Sequence, residues 1–174
     1  MIFAIVGPSG AGKDTLIEGA LKARPDLGLV RRVITRPTGA GGEDFEGVTE
    51  ADFTVRQQRG DFALHWQAHG LHYGIPKAQV QCPGDVIFNG SRAALPQAAK
   101  VFPGLKVILV TAPDAILAER LAARGRETEA DIRRRLTRAA FTLPAGVTAE
   151  TVVNDGPLEA GIAQLLAALQ PVRA

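Results

Sequence analysis

Residues 7 to 15 form the segment whose residue types and spacing most clearly suggest chemistry. The segment reads G-P-S-G-A-G-K-D-T and lies between an apolar run, Ile2 to Val6, and a stretch with helical periodicity. Glycines let the backbone turn several N–H groups inward around an anion, and a following helix adds its positive N-terminus. A lysine at the end of such a loop bridges the β- and γ-phosphates of a nucleoside triphosphate, which makes Lys13 a predicted catalytic residue. The predicted nucleotide-binding residues of the loop are Gly7, Pro8, Ser9, Gly10, Ala11, Gly12, Lys13, Asp14 and Thr15.

One position of this loop departs from the usual pattern, in which serine or threonine follows the lysine. Asp14 stands there, with Thr15 next to it. The hydroxyl group that normally binds Mg²⁺ is therefore missing at position 14, but a carboxylate is also a hard oxygen ligand. The apolar run that ends at Asn89 carries no acid at its end, so an acid in the loop is more useful. We predict ATP and Mg²⁺ as cofactors, with Asp14 and Thr15 as the protein ligands of the metal.

A second chemically suggestive feature is a run of seven arginines within residues 120 to 138. Arg120 and Arg124 are four residues apart and so share one helical face, and Gly125 allows a break between two helices. Arginines on a movable helix pair would neutralise charge during phosphoryl transfer and exclude water. We predict a helical lid at 120 to 138, in which Arg124 and Arg135 are catalytic and Arg120 binds the nucleotide. A solvated basic face, paired with neighbouring glutamates, is the alternative.

The elements that must position these motifs alternate between apolar strands and helices. Strands are predicted at 2–6, 29–34, 85–89, 105–110 and 151–153. Helices are predicted at 13–23, 50–58, 91–100, 113–124, 129–141 and 158–169. Such alternation is typical of a parallel sheet. We predict an α/β fold of the P-loop NTPase type, with about five parallel strands and helices on both faces.

Residues 35 to 81 interrupt this alternation. The segment is rich in glycine and polar residues at first, then contains a short helix with Thr49 as its predicted N-cap. Two short strand-like pieces follow, around 62–67 and 71–73. We predict a small acceptor-binding insert at 35 to 81, within a single domain of residues 1 to 174.

Composition excludes several classes of protein. The chain has 174 residues, of which 46% are hydrophobic and 22% charged, as in ordinary globular enzymes. Its longest apolar runs are too short to cross a bilayer, and a net charge of +2 does not indicate nucleic acid. We therefore expect neither a membrane nor a nucleic acid as partner. Cys82 is the single cysteine and the start of the chain lacks signal-peptide features, so we expect a cytoplasmic protein; the sequence gives no oligomeric state.

Taken together, the motifs resemble the guanylate kinase family of P-loop kinases over nearly the whole chain. The resemblance rests on the loop GPSGAGKD, the ITR of 34–36, the segment 60–74, the arginine-rich segment and the VVND of 152–155. It implies that Arg36 and Tyr73 hold the acceptor phosphate and that Asn154 lies near the adenine of ATP. A half-buried core aromatic is the alternative for Tyr73.

The resemblance breaks where a guanylate kinase recognises guanine. Leu64 and Ser91 stand where that family has carboxylates, and Gly39 stands where it has a second arginine. Without those carboxylates the N–H groups of the purine would be left unpaired, which costs more binding energy than a lost methylene. Guanine is therefore a poor candidate acceptor.

The departures resemble another branch of this fold, the ribose 1,5-bisphosphate phosphokinase family of phosphonate breakdown. The matching segments are NGSR at 89–92, RGRE at 124–127 and NDG at 154–156. The resemblance implies ATP-dependent conversion of a small phosphosugar, ribose 1,5-bisphosphate, to 5-phosphoribosyl 1-diphosphate. The accepting phosphate oxygen is already ionised, so no general base is needed. Ser91 is expected to hydrogen-bond a ribose hydroxyl and Arg92 to contact a phosphate; an exposed first-turn residue is the alternative for Arg92.

Other functions stay open from the residues alone. A nucleoside monophosphate kinase with an altered base site would be distinguished at Leu64 and Ser91. Guanylate-kinase-like interaction modules share the fold without needing a working phosphate loop, but the conjunction of Lys13, Arg124 and Arg135 favours an enzyme.

Two further interpretations find less support in the sequence. A GTPase is disfavoured because no NKxD-like base-recognition motif is present. Three histidines, His65, His69 and His72, precede Cys82, but their spacing matches no known zinc-ligand pattern.

Overall fold

The computed structural model describes residues 1 to 39, 43 to 123, 128 and 142 to 170. A main sheet contains five strands: β1 (Ile2–Val6), β2 (Gly28–Leu29), β7 (Val86–Asn89), β8 (Lys106–Thr111) and β9 (Glu150–Val153). Their spatial order is β2-β7-β1-β8-β9, and every neighbouring pair is parallel. The predicted α/β fold with five parallel strands is thereby confirmed.

A second sheet has four strands: β3 (Arg32–Ile34), β4 (Phe45–Gly47), β5 (Phe62–Ala68) and β6 (Leu71–Pro76). Their spatial order is β4-β3-β6-β5, with β3 parallel to β4 and antiparallel to β6. A two-residue turn joins β5 to β6, and both turn residues, His69 and Gly70, have positive φ angles of 52° and 74°. That is the turn geometry that matches the twist of a hairpin. The predicted insert at 35 to 81 covers most of this sheet but not β3.

Six helices lie among the described residues: α1 (Lys13–Ala23), α2 (Glu50–Gln58), α3 (Lys77–Val80), α4 (Leu95–Val101), α5 (Asp114–Ala123) and α6 (Leu158–Ala168). A 3₁₀ turn at Arg92–Ala94 precedes α4, so the helix predicted from residue 91 begins later and more tightly wound. None of the helices described here is long and apolar enough to cross a membrane. The helix predicted at 129–141, and the lid beyond residue 123 except Thr128, lie outside the described residues.

The strand predicted at 29–34 was wrong as a single element. It is two strands in two different sheets, because the chain leaves the main sheet at Arg31. The Val30 amide still donates to Ile87 O on β7 at 2.9 Å, but the Arg31 amide donates to Gln79 Oε1 at 2.7 Å. The apolar pattern of the segment does not reveal this bend, and β4 and α3 were not predicted either.

Side chains of β1 alternate between two cores. Phe3 and Ile5 pack with apolar residues of α1, α5 and α6, whereas Ala4 and Val6 pack with residues of the second sheet and α4. This follows from the two-residue period of a strand, which sends neighbouring side chains to opposite faces. Each fully buried large apolar side chain contributes about 1.5–3 kcal/mol. The second core fixes the second sheet against the carboxyl ends of the main strands.

Candidate active site

A cleft of about 700 Å³ opens between the phosphate loop and the second sheet. One side, the loop wall, consists of residues 7 to 15 except the buried Ala11. The opposite side, the sheet wall, consists of Arg32, Trp66, Gln67, Ala68, His69 and Tyr73. Residues 89 to 93, which begin with the last residue of β7, form the floor. Ligands of open α/β sheets bind in such a crevice outside the carboxyl ends of the strands.

Glycines give the loop wall a shape that other residues would not allow. Gly10 and Gly12 have φ angles of 87° and 86°, in the left-handed region. A β-carbon on Gly7 would overlap the carbonyl oxygen of Val110 on β8, and one on Gly12 would lie 2.5 Å from Asn154 Nδ2. Gly12 is also the residue that precedes the first turn of α1. The loop therefore presents backbone N–H groups and a helix N-terminus to the cleft.

The side chain of Lys13 is held inside the curl of this loop. Its ammonium group donates to the carbonyl oxygens of Gly7 at 2.8 Å and Pro8 at 3.0 Å. The charge is thus positioned beside the space that the loop encloses before any anion arrives. This is the preorganisation that makes electrostatic stabilisation effective.

The carboxylate of Asp14 is oriented by an amide from the main sheet. Asn89 Nδ2, at the end of β7, donates to Asp14 Oδ1 at 2.8 Å. Asn89 lies beside Ile5 in the register of β7 and β1, so the adjacent strand ends place the amide next to the loop. Thr15 also lines the cleft. The loop therefore offers one fixed carboxylate and one nearby hydroxyl.

This donor set fits Mg²⁺ bound together with phosphate groups. The described ranges contain no group of three or more histidine, cysteine, aspartate or glutamate side chains placed to hold a metal ion by themselves. Mg²⁺ needs no such cage, since it is usually held by one or two carboxylates, substrate phosphates and water. The predicted ligands Asp14 and Thr15 are the residues that would hold it.

Arg120 and Asn154 support the loop wall from behind. Asn154 is 6% exposed, and its Nδ2 donates to Ala11 O at 2.8 Å. Arg120 donates to Gly10 O at 3.4 Å and to Asn154 O at 3.0 Å. Neither residue lines the cleft, so their direct contact with a nucleotide stays a prediction.

The sheet wall is built from side chains that stack on one another. Trp66 of β5 and Tyr73 of β6 are directly opposite in the hairpin, and their rings are 5.3 Å apart and 6° from parallel. The guanidinium carbon of Arg32 lies 5.0 Å from the Tyr73 ring centroid and 5.8 Å from that of Trp66. Arg32 is only 7% exposed and is paired with Glu43. Arg32 Nε donates to Glu43 Oε2 at 3.0 Å, and Nη2 donates to the other carboxylate oxygen.

Comparisons with known proteins assign the chain to a family. No protein-family model matches it. The ribose 1,5-bisphosphate phosphokinase PhnN of Ruegeria sp. (strain TM1040) is 49% identical over 99% of this chain and 93% of the relative. The enzyme of the same name from Agrobacterium fabrum is 46% identical over 91% of this chain and 90% of the relative. The chain belongs to the ribose 1,5-bisphosphate phosphokinase family. The family resemblance predicted from the sequence is confirmed.

Some relatives in this family are longer. A bifunctional ribose 1,5-bisphosphokinase-thymidine phosphorylase of Cupriavidus pinatubonensis is 47% identical over 97% of this chain, but the chain spans only 29% of that protein's length. Among solved structures, a guanylate kinase from Anaplasma phagocytophilum covers 97% of this chain and 84% of its own, with a TM-score of 0.68 and 19% identity. At that identity the likeness shows the fold alone, which is that of a P-loop kinase.

The residues predicted from the sequence to bind the acceptor do not all lie together. Tyr73, Ser91 and Arg92 line the cleft. Arg36 does not, because its guanidinium carbon lies over the ring of Phe45, 4.3 Å from the centroid. Its predicted role in acceptor binding stays a prediction. The predicted catalytic roles of Arg124 and Arg135 also stay predictions, because both residues lie outside the described residues.

Two cleft residues important to the geometry were missed by sequence reasoning, and a third was undervalued. Arg32 and Trp66 received no role, and Asn89 was noted only for its lack of charge and as the first residue of the NGSR segment. Arg32 could not be distinguished from its neighbour Arg31, whose side chain is 49% exposed and pairs with Asp44. The sequence shows two arginines at 31 and 32 and two acids at 43 and 44, but it does not show which arginine pairs with which acid or which pair is buried.

One of the two positions that would recognise guanine in a guanylate kinase, position 64, carries no polar group into this cleft. Leu64 is fully buried in the core between the two sheets. It lies on the same face of β5 as Trp66, two residues further along, because that strand alternates buried and more exposed positions. This member of the ribose 1,5-bisphosphate phosphokinase family therefore has a buried leucine at position 64, where a guanylate kinase has a carboxylate that binds the base.

Proposed function

We propose that this chain transfers the terminal phosphate of ATP to ribose 1,5-bisphosphate, giving 5-phosphoribosyl 1-diphosphate and ADP. The observation that carries the proposal is the 49% identity, over 99% of the chain, to a relative named ribose 1,5-bisphosphate phosphokinase. The loop wall supports it, because the lysine, the glycines and the helix N-terminus that hold nucleotide phosphates are in place. The reaction belongs to phosphonate breakdown, as the family resemblance implies.

The two walls divide the work of the transfer. The loop wall holds ATP, with Lys13 at the β- and γ-phosphates, and the sheet wall and floor hold the acceptor opposite it. An oxygen of the acceptor phosphate forms a bond to the γ-phosphorus as the bond from that phosphorus to the β,γ-bridging oxygen breaks. The acceptor oxygen is ionised at neutral pH, so no side chain has to remove a proton. Positioning and charge stabilisation then account for the catalysis.

Asp14, Thr15 and Asn89 form the metal-facing part of the loop wall in this proposal. Mg²⁺ bound with ATP supplies positive charge at the β- and γ-phosphates. Asp14 Oδ1 accepts a hydrogen bond from the amide of Asn89, and the carboxylate of Asp14 would hold the ion or its water. Asn89 thereby fixes the direction in which the carboxylate points.

Other parts of the proposal rest on the sequence. Arg124 and Arg135 act as catalytic lid residues, and Arg120 and Asn154 contribute to nucleotide binding. Ser91 and Arg92, on the cleft floor, contact a ribose hydroxyl and a phosphate of the acceptor. The single domain with its insert and the cytoplasmic location complete the proposal.

A coupled assay of ADP release with Mg·ATP tests the proposal directly. The acceptors to compare are ribose 1,5-bisphosphate, GMP, AMP and none, and ³¹P NMR identifies any diphosphate that forms. We expect turnover with the bisphosphate alone. Turnover with GMP but not the bisphosphate would overturn the proposal in favour of a nucleoside monophosphate kinase. ATP binding with no turnover on any acceptor would favour a binding module.

A further inference from the structure

We infer that Arg32 binds a phosphate group of the acceptor and that Glu43, Trp66 and Tyr73 hold it ready to do so. The inference rests on the proposed function and makes it more specific. Arg32 and Arg92 are the only arginines among the described residues that line the cleft. They belong to the sheet wall and the floor respectively. An acceptor with two phosphates needs more than one cationic contact, and these two side chains supply them from two sides.

The first argument is the burial of the charge. Arg32 is 7% exposed yet lies at the surface of the cleft. Removing a guanidinium from water costs several kcal/mol unless the group is paired and hydrogen-bonded. Glu43 provides that pairing by accepting hydrogen bonds from Nε and Nη2 of Arg32. The pair lets a positive group stay inside a partly apolar wall.

The second argument is the edge of the guanidinium that Glu43 does not use. Arginine has five N–H donors, and the contacts with Glu43 use one on Nε and one on Nη2. In the part of the chain that the structure describes, no group accepts a hydrogen bond from Nη1 of Arg32. The edge formed by Nη1 and the second hydrogen of Nη2 is therefore left for a ligand. Its two parallel N–H groups match two oxygens of a phosphate.

The third argument is rigidity. Trp66 and Tyr73 stack on each other, the guanidinium carbon of Arg32 lies over both rings, and Glu43 fixes one edge of the guanidinium group. The side chain of an arginine normally loses considerable conformational freedom when it binds a ligand. Here that freedom is already restricted, so binding a phosphate costs less. The neighbouring Arg31, whose side chain is 49% exposed, lacks this arrangement.

Arg31 and Asp44 provide a matched control for Arg32 and Glu43. Isothermal titration calorimetry with ribose 1,5-bisphosphate, without ATP, measures acceptor affinity separately from chemistry. We expect Arg32→Gln to weaken binding about ten- to hundredfold. Arg32→Lys should recover part of this loss at most, since lysine keeps the charge but not the fork. Arg31→Gln should stay within about twofold of wild type, and ATP affinity should be unchanged in all three variants.

Glu43→Gln separates ligand binding from a purely structural ion pair. The replacing amide still accepts a hydrogen bond from Arg32, and a carboxylate that repels phosphate is removed. We therefore expect Glu43→Gln to lose much less affinity for the bisphosphate than Arg32→Gln, because the guanidinium that contacts the phosphate is still present. A structural salt bridge would instead make Glu43→Gln and Arg32→Gln weaken binding alike. The double variant Arg32→Gln/Glu43→Gln leaves no unpaired buried charge, so it should fold. We expect it to bind the bisphosphate as weakly as Arg32→Gln does.

The outcomes distinguish this inference from the function on which it rests. Wild-type affinity in the folded double variant would overturn the role of Arg32 while leaving the proposed function intact. Equal losses in Glu43→Gln and Arg32→Gln would also overturn it. If the wild-type chain neither binds nor turns over ribose 1,5-bisphosphate, the proposed function fails, and the inference fails with it.

Discussion

The loop wall and the sheet wall of the cleft are built in different ways. The loop wall comes from nine consecutive residues, and its shape is fixed by side chains that donate to backbone carbonyls, as Lys13 does to Gly7 and Pro8. The sheet wall joins residues 32, 66 and 73, which are far apart in the chain, through stacking and ion pairing between side chains. Backbone-built sites recognise phosphate as such, whereas side-chain clusters recognise a particular ligand.

This difference leads to a division of labour that can be tested. Changes in the loop wall should affect ATP, metal and rate while leaving acceptor affinity unchanged. Changes in the sheet wall should affect acceptor affinity while leaving ATP affinity unchanged. Trp66 is the only tryptophan of the chain and lies in the sheet wall, so we expect its fluorescence to change on acceptor binding in any variant whose sheet wall is intact.

Replacing Lys13 should have the largest effect. Lys13→Met removes the ammonium group that the loop positions through Gly7 and Pro8, and we expect kcat to fall about 10²–10³-fold. Acceptor affinity, measured by Trp66 fluorescence, should not change. Lys22→Met is the matched control, because Lys22 lies on the same helix but is 76% exposed and, among the described residues, pairs only with Glu18. A Lys13→Met rate within tenfold of wild type would contradict the assigned role.

Moving the carboxylate from position 14 to position 89 tests whether an acid at this edge of the loop wall binds the metal. Asp14→Ser should weaken Mn²⁺ binding to the ADP complex about 10–100-fold, as measured by electron paramagnetic resonance. Asp14→Ser/Asn89→Asp should recover most of that affinity, because the acid then stands at the end of β7, next to the loop hydroxyl.

Asn89→Ala removes only the orienting hydrogen bond to Asp14. It should therefore cost less Mn²⁺ affinity than Asp14→Ser. Unchanged Mn²⁺ affinity in Asp14→Ala, which leaves no side-chain oxygen at this position, would show that the carboxylate is not the metal ligand.

The loop wall could be predicted from sequence because its constraints are local. Glycines, a lysine and a following helix specify it within nine residues, and α1 begins and ends at the predicted residues. The same is true of α2, where Thr49 Oγ1 accepts from the Asp52 amide at 3.1 Å as an N-cap should. The alternation of strands and helices along the chain also predicts that the main sheet is parallel. It does not predict which strands are neighbours in that sheet.

The sheet wall could not be predicted because its contacts are not local. Trp66 faces Tyr73 only once the hairpin register is set by the turn at His69 and Gly70. Arg32 reaches them because the chain bends at Arg31 and leaves the main sheet, which the apolar pattern from 29 to 34 conceals. Family resemblance supplied Tyr73 and Arg36 without distinguishing the one that lines the cleft.

Replacing Asn154 tests whether the support behind the loop wall matters. Asn154→Ala removes the buried hydrogen bond to Ala11 O and should lower the free energy of unfolding by about 1–3 kcal/mol. Because the bond fixes the loop, the KM for ATP should rise while acceptor affinity stays constant. Asp155→Ala, at the next and exposed position, should change neither quantity. Equal effects of the two substitutions, seen in denaturant titrations, would argue against a specific supporting role for Asn154.

Asp85 belongs to neither wall and should have the smallest effect. The pKa of Asp85 is lowered, first by a hydrogen bond from the N-terminal amino group and then by Arg24. Because the folded pKa lies below the unfolded value of 3.8, this stabilisation is present above pH 4 and is lost as the pH falls through the folded pKa. Asp85→Asn should therefore lower the free energy of unfolding by about 1 kcal/mol at pH 7, with both ligand affinities unchanged.

The pH dependence identifies the source of that loss. The difference in unfolding free energy between wild type and Asp85→Asn should shrink as the pH is lowered below 4. Asp26→Asn is the matched control, because Asp26 also pairs with Arg24 but its side chain is 67% exposed, against 20% for Asp85. Its effect should be smaller at every pH, since water screens an exposed pair. A difference for Asp85→Asn that stays constant in acid would mean that packing, not the paired charge, stabilises this corner. A change in the affinity for ATP or for the acceptor in Asp85→Asn would mean that the two walls of the cleft are coupled to the rest of the main sheet.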